Sequence, residues 1–235
     1  MNKEEQRLLT MLKDNKISES DYQMLSSALN KKSLCTVIND SLLVNPFQKI
    51  AGFNALLIGL VLAVLMSLVG VYANVFFDAS LGFIIPQGIK TALKPNFFLL
   101  LYQNIVAIFV TSTLFLISAL IFRQKRIRVI DFYGTVAMAR FPLFISLIFI
   151  ILQQLIDPKL YHEDISKGIE LHFSLLSTVS YLLFLSCFIW QIMTYFSALK
   201  VSSGFEGKRL WTCFIICMVL AESVSMALTR YFLYV

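Results

Sequence analysis

Five stretches of this 235-residue chain are each apolar over the length a helix needs to cross a bilayer, and that constrains the fold more than any other feature. They run from about Phe53 to Phe77, Phe97 to Phe122, Tyr133 to Ile156, Leu171 to Leu199 and Leu210 to Leu228. At a rise of 1.5 Å per residue, a hydrocarbon core about 30 Å thick needs about 20 residues. A transmembrane barrel would instead show alternating segments of about ten residues. These stretches do not alternate. Hydrophobic residues make up 58% of the chain and charged residues only 14%, against about 25% charged in a soluble domain. So little polar surface cannot wet a core of this size. Soluble globular, disordered and disulfide-framework classes are excluded. The expected fold is all-α, a polytopic membrane bundle of five transmembrane helices with a small cytoplasmic N-terminal helical hairpin.

Charge divides the chain unevenly. Residues 1–50 hold seven basic and six acidic residues of the 20 and 14 in the whole sequence. Lys3, Glu4, Glu5 and Arg7 open the chain and no apolar core follows them, so no secretory signal is expected. Leu8, Leu9 and Leu12 recur at helical spacing until Asp14-Asn15-Lys16 interrupts them. Ser18-Glu19-Ser20-Asp21 offers a capping-box start to a second helix, with Tyr22, Leu25 and Leu29 on one face. The expected organisation is a cytoplasmic hairpin over 1–33, an amphipathic juxtamembrane linker over 34–50, and the five-helix body over 51–235. The N-terminal segment, the Arg123–Arg128 connection and the Lys200, Lys208, Arg209 loop carry fourteen basic residues, against five in the remaining connections and tail. That bias predicts a cytoplasmic N-terminus and an outside C-terminus in the cell (inner) membrane. Residues 78–96 contain Gly82, Pro86, Gly88 and Pro95 and could include a re-entrant or interfacial piece.

The net charge of +6 reads as loop and headgroup charge rather than nucleic-acid affinity, so no nucleic-acid partner is expected. Arg123, Lys125, Arg126 and Arg128 are candidate contacts to cytoplasmic-leaflet lipid. Asp131 falls near the start of the third span, where a carboxylate can cap free N–H groups. Gly134, Ala137 and Ala139 would let another helix approach closely. Arg140 lies about two turns further in, just before Pro142. It reads either as an anchor snorkelling to headgroups or as part of a polar binding patch. Glu222, flanked by Ala221, Ser223 and Ser225, stands past the middle of the fifth span. It reads as interhelical glue, paired with Arg140 or protonated and bonded to a neighbouring helix, or as an element of proton or cation passage. Depth counting leaves about 8 Å between it and Arg140. Gln103, Asn104 and Gln191 can hydrogen-bond across helices.

Patterns for catalysis are missing. His162 and His172 do not form a zincin spacing, and no phosphate-binding Gly-rich loop or nucleophile elbow occurs. Cys187, Cys213 and Cys217 read as small apolar filler, and Cys35 falls where disulfides are disfavoured. No catalytic, cofactor-binding or metal-ligating residue is assigned; neither enzyme activity nor a cofactor is expected.

The run from Arg126 to Pro142 contains Asp131-Phe132-Tyr133-Gly134 followed by Gly134-Thr135-Val136-Ala137-Met138-Ala139-Arg140-Phe141-Pro142. With five spans and a polar N-terminal segment, it resembles the bacterial branch of the Yip family, the Ypt/Rab-interacting membrane proteins. The likeness covers roughly residues 46–235. The element precedes the third span rather than the first, and Thr135 stands where the eukaryotic pattern has proline, so Rab binding is not carried over. The resemblance implies a multi-pass protein sometimes suspected of assisting exporters, and the hairpin is similar to short helical modules appended to bacterial membrane proteins. The leading expectation is a non-enzymatic scaffold or accessory protein that contacts membrane lipids and docks a membrane-protein partner or homo-oligomerises through that hairpin. The alternative is a small transporter or channel using Glu222 and Arg140. A lipid-modifying enzyme ranks last, since only Asp131 sits suggestively near the headgroups.

Overall fold

A computed structural model of the protein describes residues 9–14, 17–30, 45–77, 79–84, 94–122, 127–156 and 175–234. The chain divides into two compact units, Met1–Val44 and Asn45–Val235.

In the smaller unit, residues 9–13 are helical and α1 runs over Glu19–Asn30. The Ser18 side chain starts α1 as the sequence predicts. Its Oγ accepts from the Asp21 backbone N–H (3.2 Å), while the Asp21 carboxylate takes the Ser18 N–H (3.4 Å) and hydroxyl (2.6 Å). Each partner satisfies a donor that the first helical turn leaves open. Residues 31–44, most of the expected juxtamembrane linker, lie outside the described residues. The last residues of that linker belong to the larger unit, because a short 3₁₀ turn at Pro46–Gln48 drives Phe47 into its core.

The larger unit contains five helices long and apolar enough to cross a membrane: Gly52–Tyr72, Phe97–Ile121, Val129–Leu152, Leu182–Ser203 and Gly207–Arg230. The first is α2 (Gly52–Tyr72) and the second α3 (Phe97–Ile121). The third is two helices in series, α4 (Val129–Met138) and α5 (Phe141–Ile156). The fourth lies within α6 (Leu175–Ser203) and the fifth within α7 (Gly207–Tyr234). Its burial pattern suits lipid rather than water. Helix α2 turns Ala55, Gly59, Ala63, Ser67 and Gly70 inward with Leu62 and Met66, and leaves Leu57, Leu60, Val61, Val64 and Leu68 exposed. Bulky apolar side chains outside and mostly small ones inside is what association in lipid selects, where close packing replaces the hydrophobic effect.

Helix α2 packs on α3 and α4, α3 on α7, and α5 on α6. The α2–α4 crossing is tight. A Cβ added at Gly134 would stand 2.7 Å from the Gly52 carbonyl oxygen and 2.9 Å from the Leu56 nitrogen; one at Gly59 would stand 2.8 Å from backbone atoms of Ala137 and Met138. Gly134 and Ala137 therefore do what their size predicts, with the first span as the partner.

The first span is shorter than its apolar run. It stops at Tyr72 because Asn74 adopts a left-handed φ of +52°. The Asn74 N–H then donates to the Val71 carbonyl (3.2 Å) and the Val75 N–H to Gly70 (3.1 Å), a Schellman closure. Phe76–Phe77 (β1), expected to finish the helix, instead pair antiparallel with Phe83–Ile84 (β2), Phe76 opposite Ile84 and Phe77 opposite Phe83. Within the connection where a re-entrant or interfacial piece is expected, residues 79–84 belong to this hairpin, while 85–93 lie outside the described residues.

Two apolar clusters flank the hairpin's destination. Phe115, Phe132, Val136, Tyr195, Leu199 and Phe214 belong to one. Met66, Val75, Phe77, Leu100, Leu143 and Leu147 belong to the other. Arg140 separates Ala139 of the first from Leu143 of the second, at the break between α4 and α5.

Candidate functional site

Between the two apolar clusters, polar side chains from three spans converge on one backbone peptide group, the Ser80–Leu81 bond at the turn of the hairpin, and a fourth span reaches the Ser80 side chain. Its carbonyl oxygen, on Ser80, accepts from Arg140 Nη1 (3.0 Å), Gln191 Nε2 (3.1 Å) and Tyr195 Oη (3.2 Å). Its N–H, on Leu81, donates to Glu222 Oε1 (2.8 Å). Thr111 Oγ1 lies 2.7 Å from the Ser80 hydroxyl, and Ser225 Oγ 3.4 Å from it. Thr111, Arg140 and Gln191 each stand near the middle of their spans. The hairpin therefore carries irregular backbone to mid-depth. Such backbone is tolerated there only when protein groups satisfy it, since hydrocarbon offers none.

Arg140 is 0% exposed. Its Nη2 donates to Asn104 Oδ1 (3.0 Å), and Asn104 Nδ2 donates in turn to the Ser67 hydroxyl and the Leu100 carbonyl (3.1 Å each). The Phe77 ring centroid lies 6.0 Å from the guanidinium carbon, within cation–π reach. Snorkelling to the headgroups, one of the two sequence readings of Arg140, does not occur. The helix break at Ala139–Arg140 turns the side chain inward, and the hairpin meets it there with a carbonyl. The break also frees the Ala139 carbonyl, which accepts from Thr194 Oγ1 (2.9 Å).

The hairpin costs backbone strain. Ala79, immediately before Ser80, has φ +129°, a region that L side chains rarely adopt. Such a residue persists only where its surroundings over-determine it, at a cost of about 1–3 kcal/mol. Gln103 Oε1 holds the Phe77 N–H (3.0 Å), and Gln154 Nε2 holds the Ala73 carbonyl (2.9 Å). Two buried donors of the same cluster, Arg140 Nε and Gln103 Nε2, have no hydrogen-bond partner.

The structure thus brings Arg140 and Glu222 to the two ends of one peptide group, which spans the gap that depth counting left between them. Asp131 is not part of this cluster. It stays in the first turn of α4, about 14 Å along the helix axis from Arg140. Its Oδ1 lies 3.4 Å from where a Cβ on Gly52 would stand. Arg128 is the exposed residue preceding α4, while Arg123, Lys125 and Arg126 lie outside the described residues. The rest of the Asp131–Gly134 run packs: Phe132 is buried, Tyr133 Oη lies 3.0 Å from Thr113 Oγ1, and Gly134 meets α2. Gln103, Asn104 and Gln191 do hydrogen-bond across elements as expected, but chiefly to the hairpin and to Arg140. Sequence reasoning missed Ser80, Tyr195 and Thr111. Asn74 was the available signal, since a helix that stops there leaves the residues after it to return to the bundle as non-helical backbone.

Among the described residues no group of three or more His, Cys, Asp or Glu could hold a metal ion. No family model, curated protein or solved structure matches the chain.

Proposed function

We propose that this multi-pass membrane protein is a small transporter whose working part is the polar cluster at the hairpin turn. The carrying observation is the placement of both intramembrane ionisable side chains, Arg140 and Glu222, on one peptide group. A loop that only needed anchoring could be packed at the bundle surface with apolar side chains. Replacing buried charges by well-packed apolar groups is commonly neutral or stabilising, and ionisable groups inside a membrane mark solute or ion pathways by default. Charge carried here at that cost supports handling of a polar solute. With the N-terminus cytoplasmic, the hairpin closes the cluster from the outer side.

Flux through proteoliposomes of the purified protein tests the reading. Uptake of a polar solute above that of empty liposomes is expected, and Glu222→Gln should lower it at least about tenfold, the loss that follows from weakening one charge-assisted hydrogen bond. Flux equal to that of empty liposomes across a panel of small polar solutes would overturn it.

A second reading keeps the Yip-like likeness of residues 126–142 and makes the chain an accessory or scaffold protein. It is favoured by the capped, amphipathic α1, a unit too small to be stable unaided, which suits docking to a membrane partner or a second copy. Loss of co-purifying protein or of oligomer mass on deletion of residues 1–33, after mild detergent extraction, is its expected result. A monomer unchanged by that deletion would sink it.

A further inference from the structure

We propose that the side chains around the Ser80–Leu81 peptide form a recognition site for the secondary amide of a peptide, which the protein's own hairpin occupies as an internal pseudo-ligand. The inference rests on the transport reading above and supplies the chemistry of its solute.

The geometry selects an amide over simpler groups. A trans secondary amide presents its carbonyl oxygen and its N–H on opposite sides of one plane. Three donors, Arg140, Gln191 and Tyr195, converge on the oxygen side at 3.0–3.2 Å, and one carboxylate, Glu222, takes the N–H at 2.8 Å. A carbonyl has two lone pairs, so three donors exceed what is needed to satisfy it. A free carboxylate would suit the donors but bring its charge toward Glu222. An ammonium would suit Glu222 and meet Arg140. Only a group with an acceptor on one side and an N–H on the other matches both.

Two further features mark the hairpin as a replaceable occupant. Ala79 holds φ +129° while the hairpin is docked, so withdrawal releases strain. Docking also leaves Arg140 Nε and Gln103 Nε2, both buried, without partners. A peptide with a second carbonyl beside its central amide has acceptors to offer them. The hairpin then competes with the solute, and apparent affinity scales with the fraction of molecules in which it is undocked.

The test is equilibrium binding to the full-length protein in nanodiscs. The probe is radiolabelled N-acetyl-seryl-leucine methylamide, compared with the ester in which oxygen replaces the central N–H. Saturable binding of the amide, at least about tenfold tighter than the ester, is expected from loss of one hydrogen bond to a carboxylate. Glu222→Ala should abolish that preference. In a variant lacking its native cysteines, Ser80→Cys with Thr111→Cys places two thiols where hydroxyls now lie 2.7 Å apart. Oxidation should hold the hairpin in and weaken amide binding at least about tenfold, with recovery on reduction. Ala79→Gly, which touches no recognising group, relieves the strain, favours the docked hairpin and should weaken binding several-fold. Equal binding of amide and ester, absence of saturable binding, or affinity indifferent to both the disulfide and Ala79→Gly would overturn the proposal. Saturable amide binding without flux would remove the transport reading and leave the site standing. Flux of other solutes without amide binding would do the reverse.

Discussion

Arg140 is fully buried and held at both ends of its guanidinium fork. Its guanidinium joins the hairpin turn to the second span through bonds to Ser80 and Asn104. Interhelical hydrogen bonds in membranes contribute about 1–2 kcal/mol each at most, and removing one partner strands the others. Arg140→Met should therefore cost about 2–4 kcal/mol in a reversible detergent-unfolding titration. Arg140→Lys should lose about half of that, because a single ammonium lacks the planar fork that serves two acceptors in different directions. Equal stability of Arg140→Met and the wild type would show that the hairpin holds without it. Ala79 predicts the opposite sign. Glycine adopts φ +129° without the Cβ penalty, so Ala79→Gly should raise stability by about 1 kcal/mol in the same titration. A destabilised glycine variant would refute the strain.

Elements depend on fewer residues than their length implies. The first and third spans approach backbone to backbone because Gly59 and Gly134 carry no side chain there. Gly134→Val should cost about 1–3 kcal/mol, the usual penalty for overpacking. Gly82→Ala, with nothing within 4 Å of the added methyl, should change stability by less than about 0.5 kcal/mol. Similar thermal midpoints for the two variants would remove the tight crossing. The third span works as two helices because it breaks at Ala139–Arg140, and the break turns a charged side chain inward at mid-depth. In α1, Ser18→Ala should raise amide exchange at Asp21 by about fivefold, equivalent to about 1 kcal/mol of capping. Unchanged exchange there would mean that the cap contributes nothing.

On the scale of the whole molecule, five helices long enough to cross a membrane predict that the two ends of the bundle's chain lie on opposite faces. In a variant lacking its native cysteines, an impermeant thiol reagent applied to intact cells should label a cysteine introduced at Arg230, and one at Ser18 only after permeabilisation. Labelling of both from one side would refute the five-span topology. The number of spans and the small-residue seam were legible in the sequence. Apolar runs of about 20 residues have one stable form in hydrocarbon, a helix, and glycines inside them have little use except close approach. Arg140 and Glu222 were also conspicuous, because ionisable residues are rare in such runs. Their common target was not legible. It is a backbone group, and the hydrogen bonds of a peptide unit leave no mark in residue identity. Phe76 and Phe77 are as apolar as the helix before them, so composition could not separate strand from span; only the left-handed Asn74 does. What the sequence determined by itself was the solvent the chain must fold in and the number of times it crosses that solvent. What only the tertiary structure decided was that the connection after the first span folds back to mid-depth and draws three spans onto one peptide group, because that depends on where α4 breaks and which carbonyl then lies within reach of Arg140.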